Sequence, residues 1–398
     1  MKRLHPTILL MAAAHFMVDA YGNLYAPLLP LLIDHLHLSL TAAGTLAMCY
    51  QISASISQLG WGHLADRWHS RALVVAGPFT TVVILSLIGV AGSPVMLAIV
   101  LMVGGLGSAA FHPAGAAIVH RLSHGKRGLG MATYITGGSI GMSLAPMIVA
   151  PFAERYGLHA TPWLALPGLV VLALVANQLE PIAAPKTRSP VGFRVLKPYA
   201  FPLTLLYLIV VARTITSLSF ATFVPVMLVR QGVSVGAAGV VIAIYLLASG
   251  VGGFIGGPAA DRLGPKRVIA LSLVVSAPFL AAAPMLSGWW LALDLALGGL
   301  FLQSTLPVNI IFAQTIAPVS AGTVSSLMMG VAWGTGGLCI PFVGMLADAV
   351  GIPYTLITMA GVPLVATICI WPLPDGKEVH VRAPSTTGLT HAGVEPTI

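Results

Sequence analysis

Twelve apolar stretches recur along the 398-residue chain, each about as long as the roughly 20 helical residues that cross ~30 Å of hydrocarbon. They fall near 7–33, 41–64, 72–91, 95–121, 128–152, 160–179, 202–229, 236–259, 266–287, 289–315, 320–347 and 353–373. In lipid every backbone N–H and C=O must be satisfied within its own helix or around a closed barrel. The barrel is excluded by pattern, because its strands alternate apolar and polar over about ten positions and these stretches do not. The expectation is an all-α polytopic membrane protein. With 57% hydrophobic and only 8% charged residues, nothing is left from which to build a water-facing domain.

The first stretch is too long for a cleaved leader and carries His15 and Asp19, so it is expected to be retained as a span. Cys49, Cys339 and Cys369 all fall inside spans, where packing rather than a disulfide or metal framework is expected.

The formal net charge of +8 is an orientation signal rather than a nucleic-acid footprint. Of 19 Lys and Arg residues, 16 lie at the termini or in the loops that follow even-numbered spans. Arg155 and Arg230 lie near the opposite face and Arg213 lies within a span. Both termini are therefore expected to be cytoplasmic.

Residues 180–200, EPIAAPKTRSPVGFRVLKPYA, are proline-rich and basic and divide six spans from six. The two sides repeat. GHLADRWHSR from Gly62 ends the second span and GPAADRLGPKR from Gly257 ends the eighth, with Asp66 and Asp261 195 positions apart. Pro30 and Pro225, Pro113 and Pro307, Pro146 and Pro341, and Gly157 and Gly351 keep offsets of 195, 194, 195 and 194. Parallel six-span repeats predict two pseudo-two-fold related six-helix bundles with a substrate site near the midplane between them. The expected division is 1–179 for the first bundle, 180–201 for a cytoplasmic linker, 202–374 for the second bundle and 375–398 for a disordered tail.

The two G-x-x-x-D-R loops resemble the major facilitator superfamily signature between spans two and three, and the likeness covers nearly the whole chain. It implies the major facilitator fold and a cytoplasmic latch formed by Gly62, Asp66, Arg67 and Arg71 in one copy and Gly257, Asp261, Arg262, Gly264, Lys266 and Arg267 in the other. The first copy departs from the pattern, with His69 and Ser70 where a glycine and a base are usual. AHFMVDAYGNLYAPLLPLL from Ala14, FHPAG from Phe111, TGGSIGMSLAP from Thr136 and GTGGLCIPFVGMLAD from Gly334 resemble the fosmidomycin resistance protein branch. That resemblance implies a proton-driven antiporter of the cell inner membrane that exports small anionic or amphiphilic compounds.

Ionisable side chains at membrane depth are costly, so each needs a partner, water or a function. His15 and Asp19 are four apart and share a helix face. Counted at about 1.5 Å per residue, His15 on span one and His112 on span four lie roughly 12 and 14 Å from the cytoplasmic ends, at matching depth. Asp19 and Arg213 both lie about 17 to 18 Å in, on the pseudo-equivalent spans one and seven, and are placed to face one another. Asp19, His15 and His112 are the candidate proton carriers. Arg213 suits an anionic group, with snorkelling toward the interface as the plainer alternative. His112, Tyr134, Asn309 and Trp333 are further candidate substrate contacts, against packing as the plainer reading. Pro113 leaves the Ala109 carbonyl without its helical donor, so a bend beside His112 is expected. Asp294, near the outer end of span ten, reads as structural.

Glycine pairs at Gly104-Gly105, Gly137-Gly138, Gly252-Gly253 and Gly336-Gly337 are expected to allow close helix approach; no P-loop lysine follows them. No nucleophile–base set stands out, so an enzyme is not expected, nor a cofactor, a resident metal or a nucleic-acid partner. The expected partners are a small-molecule substrate, protons and the lipid bilayer, with the chain a monomer. Metal transport through His15, Asp19 and His112, or a transport-like sensor, remain alternatives.

Overall fold

The computed structural model describes residues 5–58, 60–61, 70–123, 127–179, 193–318 and 321–374. Among them eleven helices are long and apolar enough to cross a membrane. We number the spans α1 (Pro6–Leu36), α3 (Arg71–Val90), α4 (Pro94–Leu122), α5 (Leu129–Tyr156), α6 (Leu158–Gln178), α7 (Val195–Arg230), α8 (Val235–Leu263), α9 (Pro265–Met285), α10 (Gly288–Ile316), α11 (Thr323–Val350) and α12 (Ile352–Ile370). The remaining span, α2, runs over Leu40–Gln51 and continues through a π-turn at Ile52–Ile56. The arrangement is the twelve-span architecture expected from the sequence.

Local chemistry explains the boundaries. Ser39, Ser93 and Ser234 cap α2, α4 and α8, each accepting from the third N–H of its helix. Gly157 and Gly351 carry the left-handed φ values of 80° and 87° that let α5 turn into α6 and α11 into α12 without a loop.

Pro113 does not interrupt its helix. α4 is a single uninterrupted helix from Pro94 to Leu122, with Pro113 inside it. The break falls in α1, where helix ends at Gly22 and resumes at Tyr25. There the Asn23 side-chain amide donates to the Asp19 carbonyl at 2.9 Å, occupying the acceptor that the next turn would have used. The inner part, Pro6–Gly22, packs within its own half against α3, α4, α5 and α6; the outer part, Tyr25–Leu36, reaches α7 and α8 of the other half.

Glycine sets the helix spacing. A side chain on Gly137 would strike the Ala12 carbonyl, and one on Gly141 the Phe16 carbonyl, so α5 lies directly on α1. Gly105 meets Ser53 of α2, Gly252 meets the Leu300 carbonyl and Gly336 meets Thr214 in the same way. The three cysteines are free thiols.

Candidate functional site

The close approach of α1 and α5 brings four of the sequence candidates together. His15 and Asp19 sit one helical turn apart on α1, facing Gly138 of α5, where any β-carbon would collide with both side chains. His15 Nε2 lies 3.2 Å from Asp19 Oδ2, and His112 Nε2, from α4, lies 3.5 Å from Asp19 Oδ1. The two imidazoles meet edge to face with centroids 5.0 Å apart. Tyr134 stacks on the other face of His15 at 4.1 Å, and its phenol points to the His112 carbonyl at 3.4 Å.

The hydrogen bonds assign protons. His15 Nδ1 lies 2.8 Å from the Tyr134 carbonyl, which can only accept, so Nδ1 carries a hydrogen. Nε2 then faces a carboxylate oxygen at hydrogen-bond distance. Two lone pairs at that separation repel, so a further proton lies between them, on the imidazole or on the carboxyl. The His15–Asp19 pair thus holds one shared proton. His112 extends it, because Nε2 also meets Ser108 Oγ at 3.1 Å. Ser108 was not visible as a site residue in the sequence.

The second cluster lies in the other half. Arg213 is 1% exposed, which rules out snorkelling. Its guanidinium donates to Gln303 Oε1 of α10 and to Thr214 Oγ1 at 3.4 Å, and lies over the Trp333 ring at 5.3 Å. Gln303 Nε2 donates to Ser217 Oγ at 3.1 Å, and the Tyr245 hydroxyl donates to the same oxygen at 3.4 Å. No ion pair joins Arg213 to Asp19 among the described residues. Depth fixes height on a helix but not the direction a side chain points. Arg213 is held by neutral acceptors and a ring, and its Nε–H has no partner. Asn309 is 1% exposed with both side-chain amide atoms unpaired. Gln303, Ser217 and Tyr245, being neutral, gave no sequence signal.

Of the latch residues, Gly62, Asp66 and Arg67 lie outside the described residues. Arg71 donates to the Ala176 carbonyl at 3.2 Å, and Lys266 Nζ to the Leu373 carbonyl at 2.7 Å. Asp261, Arg262 and Arg267 are exposed, beside Gly264 at φ 85°. The ligand atoms of His15, Asp19 and His112 all lie within 4.8 Å of one another, a two-imidazole, one-carboxylate set that can also hold a divalent cation.

Twelve spans in two repeats, with buried polar clusters facing the bundle interior, define a secondary membrane transporter. The Major Facilitator Superfamily sequence model matches residues 11–231 and again 205–395. The chain belongs to the major facilitator superfamily. It is 28% identical over 382 residues to the fosmidomycin resistance protein of Escherichia coli K12, covering 92% of this chain and 91% of that one. It is 30% identical to the MFS-type transporter YfnC of Bacillus subtilis 168, over 94% of each chain. Among solved structures it resembles a bacterial homolog of the human lysosomal transporter Spinster in an inward-facing, unoccupied conformation. The TM-score is 0.78 at 16% identity, covering 92% of this chain and 96% of that chain.

Proposed function

We propose that this transporter is a proton-coupled antiporter of the cell inner membrane that exports a small anionic or amphiphilic compound by alternating access. The observation that carries the reading is the separation of two buried polar clusters. The one-proton store of His15 and Asp19, extended by His112, belongs to the first half, and the under-coordinated Arg213 belongs to the second. An anion bound directly at Asp19 would bind best with that carboxyl protonated, which favours cotransport. An anion bound at Arg213 leaves the proton free to be exchanged. Arg213, with Trp333 beside it and Asn309 unpaired, offers charge, a ring face and amide hydrogen-bonding to such a ligand. The likeness to the fosmidomycin resistance protein supports export, and a 26% identical relative over 91% of this chain, the probable nitrate/nitrite transporter NarK2 of Mycobacterium tuberculosis, supports an anion. The loop charge asymmetry supports cytoplasmic termini.

The deciding experiment uses purified protein in liposomes with an imposed pH gradient and a pH-sensitive dye inside. Adding fosmidomycin as the first probe to vesicles is expected to produce coupled proton flux, abolished in Asp19→Asn. Substrate movement with no proton flux refutes the coupling.

A second reading is favoured by the ligand geometry of His15, Asp19 and His112: divalent metal as the transported cation. Zinc-loaded vesicles distinguish it, since a metal carrier moves zinc down its gradient and the antiporter does not.

A further inference from the structure

The face of the bundle opposite the termini carries two contacts that the proton and substrate clusters do not explain. At the start of α2, Asp348 of α11 accepts from Leu40 N at 2.9 Å with one oxygen. Its other oxygen accepts from Thr41 N at 2.8 Å and Thr41 Oγ1 at 2.6 Å. At the start of α8, Glu154 of α5 accepts from Gly236 N at 2.9 Å. In both cases a carboxylate at the end of one half's helix caps the first turn of a helix in the other half.

The two contacts are copies. Leu38–Gly44 reads LSLTAAG and Val233–Gly239 reads VSVGAAG, 195 positions on, and Glu154 and Asp348 are 194 apart. Ser39 and Ser234 satisfy the third N–H of their helices internally, through Ala42 N and Ala237 N. The N–H groups just before it are left to the opposite half. The glycines that close each motif allow the same approach. A β-carbon on Gly44 would lie 2.5 Å from the Ile340 carbonyl oxygen, and one on Gly239 would lie 2.5 Å from that of Pro146. Pro146 and Pro341 are themselves repeat mates. A packing accident has no reason to occur twice at one offset.

We propose that Asp348 and Glu154 form a symmetric double latch that holds the two halves together on the face opposite the termini. Both contacts cross between the halves, so opening that face breaks both, and each carboxylate then gives up the partial positive charge of a helix N-terminus. Water takes over the freed groups, which keeps the latch reversible. Together they set how much of the protein is closed on this face, whichever ion or substrate is moved.

Spin labels at the exposed positions His159, at the start of α6, and Gln231, after α7, in a background lacking the three cysteines, report the separation of the halves on this face. The full chain in lipid nanodiscs is expected to lose at least five-fold of its short-distance population in Asp348→Ala/Glu154→Ala. Each single change should give a smaller shift in the same direction. Asp348→Lys, which sets a cation against the helix terminus, should exceed Asp348→Ala. An unchanged distribution in the double variant overturns the proposal, including when its thermal stability falls, since that describes a brace and not a latch. If the double variant does not fold, Asp348→Asn and Thr41→Val decide: a shift of two-fold or more supports the latch, and none overturns it.

Discussion

His15 and Asp19 are held 3.2 Å apart by a tyrosine they do not resemble in role: the Tyr134 backbone carbonyl takes one ring nitrogen of His15 and so commits the other to Asp19. This makes the pair sensitive to the position of α5. It also makes the proton part of the structure, since without it the two groups repel.

Asp19→Asn removes the carboxylate but not the shape of the site. Coupled proton flux in liposomes is expected to fall at least ten-fold while the protein folds and elutes as wild type. His112→Ala is expected to slow the flux less, because the His15–Asp19 contact survives. Wild-type coupling by both variants refutes the assignment.

Arg213→Ala removes the guanidinium over Trp333 and frees the Gln303 acceptor. Substrate affinity is expected to weaken ten-fold or more, about 1.4 kcal/mol, with proton uptake by the Asp19 cluster retained. Affinity measured against pH for wild type, Arg213→Ala and Asp19→Asn separates the two clusters. Unchanged affinity in Arg213→Ala at every pH removes the anion-binding role.

Gly138→Ala tests the approach of α5 to the carboxylate. Its methyl group would displace Asp19 Oδ2 and His15 Nε2, so coupling should be lost while the helices remain assembled. Gly137→Val meets backbone instead, at the Ala12 carbonyl, and is expected to cost about 1–3 kcal/mol of stability. Melting temperatures in detergent, set beside flux, check that order. Equal loss of stability in both variants contradicts it.

Reporter fusions within Lys186–Lys197 test topology. Cytoplasmic reporter activity is expected there, and at both termini, from the placement of Lys and Arg. Activity on the opposite side reverses the orientation and with it the direction of transport.

What the sequence carried was height and repetition. The four-residue spacing of His15 and Asp19 and the matched depth of His112 were enough to bring the proton cluster together before any coordinates. The same depth count set Asp19 level with Arg213 but could not say whether they meet, because rotation about the helix axis depends on which neighbours pack, and periodicity in uniformly apolar helices marks no face. Pro113 does not end α4. A transmembrane helix tolerates proline where neighbouring groups satisfy the freed carbonyl, whereas Asn23 interrupts α1 by actively capturing one. Gln303 and Ser108 carry no charge and so no desolvation signal; their places emerge only from the packing.

The interruption of α1 at Asn23 gives one helix two allegiances. Its inner rod packs on the half that carries His112 and Tyr134, and its outer rod is clasped by the half that carries Arg213. Asp19 lies one turn before the joint, with its carbonyl tied to Asn23. A change in charge on that side chain therefore acts beside a hinge pin and not in the middle of a stiff beam. Any shift of the inner rod would reach the outer one across that joint, as a change of angle rather than of position.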